Sequence, residues 1–277
     1  MEEVRPHGNG GLLVESINER VAEVRRVFNP HQPIANQKLF SGRVSQLNQA
    51  VTALRTPGKH PIVFGARGVG KTSLANIVKI IAPLDHYVAV STQCNSSSTF
   101  VSIIKALMAG IIHERKKEIA GFTSQVEGER VALSSYLPDN FSQENVVNLI
   151  RQLGARVLFI IDEFDRVKSV DRTRMSDLIK AASDIGGDSL KLLIVGVGET
   201  LDDLVKDHPS IERNIAEVHM VLMSGDEIRE IVQKGSAELN LEFDPDVVEK
   251  IVQCAQGFPY FAHLLAQHSS VEALRKK

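Results

Sequence analysis

Apolar residues recur along the chain with two spacings, one typical of helices and one typical of buried strands. Residues 12–28 place apolar side chains at helical intervals, and two prolines within 29–37 end that helix. Short runs of consecutive apolar residues predict buried strands at 61–65, 87–93, 156–162, 190–198 and 218–223. Helical spacing predicts further helices at 44–54, 71–81, 99–111, 142–154 and 172–187. Residues 113–140 are charged, and we expect an irregular segment there.

Beyond residue 223 the pattern predicts helices only. Ser224 and Glu227 form a capping box for a helix over 225–239, and Asp244-Pro245 provides an N-cap and a first-turn proline for the next helix. Strand–helix alternation predicts an α/β fold, a parallel sheet with helices on both faces, followed by a small all-helical lid domain. We therefore expect an N-terminal extension at 1–35 with one helix and disorder over 1–11, an α/β domain at 36–223 and a lid at 224–277.

Composition narrows the class of protein without identifying a function. The formal net charge of −2 gives no overall basic field that would attract nucleic acid or a membrane. Cys94 and Cys254 lie far apart in the sequence and suggest no disulfide framework, which fits a reducing compartment. Without an N-terminal apolar region or an apolar run near 18 residues, we expect a soluble cytoplasmic protein that makes no membrane contact.

The segment "GARGVGKTS" at 65–73 carries the most specific chemistry in the chain. It matches G-x-x-x-x-G-K-[ST] and lies between a predicted strand and a predicted helix, which is the context a phosphate-binding loop requires. Backbone N–H groups of the loop and the positive end of the helix would point at one anion. Lys71 would reach the outer phosphates, and Thr72 would place its hydroxyl on Mg²⁺. The predicted phosphate-binding residues are Gly65, Ala66, Arg67, Gly68, Val69, Gly70, Lys71, Thr72 and Ser73.

A second candidate group follows the apolar strand "VLFII" at 157–161. Asp162 would hold Mg²⁺, and Glu163 would orient the water that attacks the γ-phosphate. Asp165 and Arg166 are expected to be surface or loop-anchoring residues. Because the chain lacks an N-K-x-D sequence, the usual means of guanine recognition, ATP is favoured over GTP.

Six segments occur in the order seen in AAA+ ATPases, and the resemblance covers about residues 36–268. They resemble most the initiator-type, origin-recognition-like branch and its bacterial relatives, including ATPases that regulate transposition; the STAND ATPases are close neighbours. The segments are 39–47, 65–73, 158–166, 194–204, 211–223 and 257–266.

The resemblance implies roles for residues outside the two nucleotide motifs. Gly42 and Arg43 match a turn that lies near the adenine, although a turn glycine and a surface arginine are an alternative. Glu199 or Thr200 stands where the family carries its first sensor, and Glu199 could equally cap the next helix.

Two further regions correspond to catalytic and lid elements of the family. Arg213 stands where an arginine finger reaches the ATP of a neighbouring subunit; the alternative is an ion pair with Glu212 or Glu217. Pro259, with the two residues before it, is expected near the adenine. The second-sensor arginine is missing, and His263, the nearest polar candidate, is expected to be a core residue instead.

Two functions remain open at this stage. One is an ATPase that uses ATP and Mg²⁺ to oligomerise, close its lid and control a protein or protein–DNA assembly. The other is a non-catalytic, nucleotide-gated binding module that recruits a partner protein or DNA. A homo-oligomer and a protein partner are expected, whereas DNA is suggested by the resemblance alone. The basic runs at 113–117 and 275–277 are expected to be solvated surface.

Overall fold

The structure is a computed structural model that describes residues 9–34, 36, 38–118, 126–185, 187–201, 204 and 209–276. In chain order, the helices of these residues are α1 (Asn9–Val27), α2 (Val44–Arg55), α3 (Lys71–Ile81), α4 (Phe100–Ala109), α5 (Gln143–Leu153), α6 (Ser169–Asp184), α7 (Gly225–Leu239), α8 (Pro245–Ala255) and α9 (Pro259–Arg275). The strands are β1 (His60–Gly65), β2 (Tyr87–Gln93), β3 (Ile112–Glu118), β4 (Val126–Ala132), β5 (Arg156–Asp162), β6 (Leu190–Val195) and β7 (Ile215–Met220).

Contacts between residues divide the chain into two compact units. The sheet unit comprises Val44–Arg67 and Leu74–Val221. The helical unit comprises Met1–Arg43, Gly68–Ser73 and Leu222–Lys277. In this grouping the described residues before Val44 and part of the phosphate loop fall with the C-terminal helices.

The sheet unit is built on five parallel strands in the order β2-β5-β6-β1-β7. Since all five run in the same direction, their carboxyl ends meet at one edge of the sheet. The register pairs Gly65 with Met220 and Gln93 with Asp162 at that edge. Gly65 and Asp162 therefore end strands that only β6 separates, a lateral distance of about 10 Å.

Helices pack against both central and outer strands of this sheet. Every residue of β1 and β6 is buried, as expected for strands covered on both faces. The largest apolar core combines residues of the sheet with residues of α4, α5 and α6, among them Phe159, Leu192, Ile104, Ile150 and Leu178. The predicted parallel α/β architecture is confirmed.

Part of the segment expected to be irregular forms an antiparallel hairpin of β3 and β4 instead. Its register joins Ile112 to Ala132 and Glu118 to Val126. The expectation of irregular structure over 113–140 was wrong there because these strands consist largely of charged residues. They lack the apolar alternation by which a half-buried strand is recognised in sequence.

The helical unit combines α1 with α7, α8 and α9. Helix α1 begins at Asn9 and contacts both α7 and α9. Its residues 9–11 are helical where disorder was expected, and residues 1–8 of that expectation lie outside the described residues. Phe28, fully buried, packs its ring edge-on against Phe243 at 6.1 Å between ring centroids. The Arg20 side chain donates to the Leu239 carbonyl at 2.8 Å, which satisfies an acceptor at the end of α7.

Two general expectations can be compared with the described part of the chain. None of its helices is both long enough and apolar enough to cross a membrane. Cys94 and Cys254 are free thiols, the first buried and the second exposed. Burial, followed by the nearby Asp162 carboxylate, raises the pKa of the Cys94 thiol to about 12.

The contact between the ends of β1 and β7 requires a glycine at position 65. A Cβ atom there would lie 2.3 Å from the Met220 carbonyl oxygen, and the φ angle is +146°. We expect Gly65→Ala to lower the free energy of unfolding by at least about 2 kcal/mol, because it combines a steric clash with backbone strain. Gly154→Ala is the matched control, since its φ is +67° and no atom lies within 4 Å. That control should cost about 1 kcal/mol. Urea unfolding measures both, and equal losses would show that close strand contact is not what requires Gly65.

Candidate nucleotide-binding site

The phosphate loop leaves the sheet edge at Gly65, and α3 begins six residues later at Lys71. Gly68 and Gly70 have φ angles of +84° and +96°, which residues with a side chain rarely adopt. This backbone allows successive N–H groups to face one concave space at the start of a helix. Lys71 is buried, with 8% of its surface exposed.

Within the helical unit, the loop is contacted from two directions. The Ile34 backbone N–H donates to the Ser73 hydroxyl at 3.1 Å. A Cβ atom added to Gly70 would lie 3.8 Å from Cγ of Pro259, and one added to Gly68 would lie 3.6 Å from the Phe258 ring. The structure thus brings Pro259 and the glycines of the loop together.

Arg43 is buried, with 2% of its surface exposed, and the alternative of a surface arginine is wrong. Its Nη2 donates to the Val69 carbonyl of the phosphate loop at 3.1 Å. Its backbone N–H donates to Oε1 of Glu227 at 2.9 Å, and that of Gly42 donates to Oε2 of Glu230 at 2.8 Å. Burial lowers the pKa of Arg43, and the neighbouring Glu227 carboxylate partly opposes this effect.

Sequence reasoning did not place Glu227 and Glu230 beside Gly42 and Arg43. Glu227 forms the predicted capping box, accepting from the Ser224 backbone N–H at 2.9 Å. Its other oxygen accepts from Arg43, a contact between residues 184 positions apart. Such a distant partner leaves no local signal in the sequence.

The predicted metal-binding and catalytic carboxylates lie at the end of β5 in the sheet unit, where Asp162 is the last residue of the strand and Glu163 follows it. Asp162 accepts the Glu163 backbone N–H at 2.8 Å, while its carbonyl accepts from the Cys94 N–H at 2.8 Å. Glu163 adopts a φ of +53°, an unusual conformation for a residue with a side chain. Its carboxylate pairs with the Arg166 guanidinium at 3.0 Å, so Arg166 is a partner of the candidate catalytic residue and not merely a surface group.

The loop after β6, the predicted first-sensor region, is anchored to the turn that follows Glu163. Oδ1 of Asp165 accepts the Val197 N–H at 2.8 Å, which fulfils the expected loop-anchoring role of Asp165. Glu199 and Thr200 are exposed residues just beyond this anchor. Asp165 therefore links the loop after β6 to the turn that follows Glu163.

Comparison with known proteins decides the family. The model of the family described as novel STAND NTPase 1 matches residues 29–269. The chain belongs to this family. A search of curated proteins finds no match.

Solved structures similar to this STAND NTPase include three archaeal proteins. A Walker-type ATPase of Pyrococcus abyssi has a TM-score of 0.63 and 20% identity, over 90% of this chain and 71% of that one. The ORC2 protein of Aeropyrum pernix, in ADPNP–ADP complexes, has a TM-score of 0.58 and 18% identity. The match covers 87% of this chain and 64% of that one. The ORC1 protein of the same organism, in complex with DNA, has a TM-score of 0.58 and 16% identity. The match covers 91% of this chain and 65% of that one.

These likenesses show a shared fold and nothing more, because the sequence identity is 20% or less in each case. This STAND NTPase spans less than two thirds of either ORC protein. The family model establishes a STAND NTPase, one of the relatives that the resemblance implied, and the solved structures show that it shares the fold of a Walker-type ATPase.

Arg213 of this STAND NTPase lies in a short 3₁₀ helix, Pro209–Asn214, directly before β7. Its side chain is 73% exposed, and its described ion-pair partner is Asp184 at 3.8 Å, not Glu212 or Glu217. A long pair in solvent contributes little to stability. The guanidinium is accordingly accessible to another molecule.

His263 is a core residue of the helical unit, as expected. It is 6% exposed, its ring packs against Phe28, and neither of its ring nitrogens has a hydrogen-bond partner among the described residues. Burial lowers the pKa of His263 to about 4. The side chain is therefore neutral at pH 7 and contributes no charge to the candidate site.

Acid should destabilise the helical unit through His263. Between pH 6.5 and about 4 the unfolded chain binds a proton at this position and the folded chain does not. Unfolding free energy should therefore fall with decreasing pH across this window, by up to about 3 kcal/mol. Thermal unfolding from pH 7.5 to 4.5 should show a smaller loss for His263→Leu than for wild type.

His268→Leu, which removes an exposed histidine from the same helix, is the control for this comparison. Some acid sensitivity should remain in every variant, because burial also lowers the pKa of His60 in the sheet unit to about 3. The same pH dependence in His263→Leu and wild type would contradict the assignment.

Proposed function

We propose that this chain binds ATP with Mg²⁺ and hydrolyses it slowly, and that the bound nucleotide controls its assembly with further copies and with a partner protein. The observation that carries the proposal is the common edge of the sheet. The phosphate loop starts there at the end of β1, and two strands away Asp162 ends β5 and Glu163 follows it.

Phosphate binding is the best-supported part of the proposal. The loop N–H groups and the positive end of α3 suit the charge and size of a phosphate group. The Lys71 ammonium would neutralise the outer phosphates. Gly65 to Ser73 would together form the phosphate site.

Mg²⁺ would be held by the two residues that the sequence motifs predict for it. The hydroxyl of Thr72 and the carboxylate of Asp162 are hard donors of the kind that hold Mg²⁺ together with phosphate oxygens and water. Glu163 would orient the attacking water. The Glu163 carboxylate pairs with Arg166. During turnover this ion pair must therefore break, or the carboxylate must bind Arg166 and the attacking water at the same time.

The nucleoside would be adenosine, with Pro259 and the turn at Gly42 near the base. The ORC2 structure contains adenine nucleotides, which is consistent with this choice. The exposed Glu199 or Thr200 would act as the first sensor and respond to the presence of the γ-phosphate. Because the second-sensor arginine is missing, lid closure would depend on contacts with the phosphates alone.

Arg213 would act on the ATP of a second copy. Its high exposure and loose ion pair make the guanidinium available for such a contact. Hydrolysis would then require a homo-oligomer. DNA as a further ligand is supported only by the ORC1 complex, since the chain carries no excess of positive charge.

A non-catalytic nucleotide switch is the second candidate. The ion pair that occupies Glu163 favours it, as does the start of α9, "PYFAHLL", which contains no arginine that could contact phosphate. In this version nucleotide exchange, and not hydrolysis, changes the affinity for the partner.

Separate measurements of binding and turnover test the proposal. We expect Lys71→Ala to weaken binding of a fluorescent ATP analogue at least about tenfold, because it removes a charge-assisted phosphate contact. Glu163→Gln should bind ATP as wild type does but lose phosphate release at least about a hundredfold. Lys79→Ala is the control, since Lys79 lies on the same helix and bonds to Ser91.

Each outcome of that experiment has a distinct meaning. Unchanged ATP affinity in Lys71→Ala would refute the phosphate site. ATP binding without phosphate release from wild type, at any protein concentration, would favour the switch over the ATPase.

The finger assignment predicts complementation between two inactive variants. Arg213→Ala should retain ATP binding and lose at least about tenfold in turnover at concentrations where wild-type turnover rises with concentration. Mixing Arg213→Ala with Lys71→Ala should restore part of the activity, because each subunit lacks a different half of a shared site. Phosphate release from the mixture measures this, and activity no higher than the sum of the separate proteins would exclude action in trans.

A further inference from the structure

The Arg43 guanidinium is buried with incomplete hydrogen bonding. Nη2 bonds to the Val69 carbonyl, whereas Nε and Nη1 have no partner among the described residues. A buried cation with unsatisfied donors is unfavourable for folding. Its presence therefore calls for an explanation other than stability.

The backbone around Arg43 is held in place by carboxylates of α7. Glu227 accepts the Arg43 N–H and Glu230 accepts the Gly42 N–H. Lys234 pairs with Glu230 at 2.8 Å and donates to the Phe40 carbonyl at 2.7 Å. These contacts fix residues 40–43 on α7, so the direction of the Arg43 side chain is set by the helical unit.

Fixing the Val69 carbonyl also fixes the next N–H group of the phosphate loop. In a trans peptide the carbonyl of one residue and the N–H of the next point in opposite directions. Because Arg43 holds the Val69 oxygen, the Gly70 N–H must point to the other side of the peptide plane. That plane could otherwise rotate easily, since glycine has few backbone restrictions.

We propose that Arg43 is a positioning residue of the phosphate loop, which holds the Val69–Gly70 peptide so that the Gly70 N–H faces the bound phosphate. Arg43 acts through Val69 and does not contact the base. This role differs from the adenine contact that the resemblance implied, and it rests on the proposed function in that the loop binds phosphate. It also connects α7 to the phosphate loop through Glu227.

The test compares stability with affinity in Arg43→Met. Methionine has a similar length and, like arginine, a side chain at the φ of +59°, so backbone strain is unchanged. Replacing a poorly satisfied buried cation by an apolar side chain should leave the urea midpoint unchanged or raise it. Affinity for ATP, for ADP and for inorganic tripolyphosphate should fall by a similar factor, about tenfold. Arg43→Lys, which keeps a donor for the Val69 carbonyl, should recover most of the affinity.

Three results would overturn the proposal: unchanged affinity in Arg43→Met, a loss confined to ATP and ADP with normal tripolyphosphate binding, or a fall in affinity only in step with lost stability. The second would assign Arg43 to the nucleoside. Lys71→Ala, measured in parallel, separates this proposal from the proposed function. If Lys71→Ala fails to weaken tripolyphosphate binding, the phosphate site itself is wrong. If Lys71→Ala weakens it and Arg43→Met does not, only the positioning role is wrong.

Discussion

Parallel pairing of the five strands is the constraint on which the candidate site depends. It brings the carboxyl ends of β1 and β5 to one edge of the sheet, although the two strands lie almost a hundred residues apart in sequence. The close approach of β1 to β7 at Gly65 holds the start of the phosphate loop at that edge. A sheet with one antiparallel strand in place of β5 would carry the same motifs at opposite ends, where they could not share a nucleotide.

Backbone strain in the described residues is concentrated at two positions of functional interest. Five residues other than glycine have positive φ angles. His86, Asn240 and Gln256 end helical segments, where a left-handed residue is common. The other two are Arg43 and Glu163, one bonded to the phosphate loop and one the candidate catalytic residue. Strain of this kind persists where surrounding contacts enforce it, and at both positions a carboxylate accepts the backbone N–H of the strained residue.

Features set by local sequence could be predicted, and features set by distant contacts could not. Continuous apolar runs indicated the parallel strands, and the glycines and Lys71 of one short loop indicated its phosphate chemistry. Burial of Arg43 depends on α7, nearly two hundred residues later, and the pairing of Arg213 with Asp184 depends on how α6 meets a 3₁₀ helix. The β3–β4 hairpin escaped prediction for another reason, since its strands carry charge where apolar alternation was sought. The family model matches a slightly longer part of the chain than the resemblance did, but only the structure reveals these contacts.

The helical unit is assembled from segments that lie on either side of the sheet unit in the sequence, because α1 packs with α7 and α9. During synthesis α1 is made well before α7 and α9, so its packing cannot be completed until those later helices exist. The sheet unit, most of whose residues lie between them in sequence, can therefore form first. The contacts of Arg43 with Glu227 belong to the later step, so the phosphate loop acquires this support only after α7 has been synthesised.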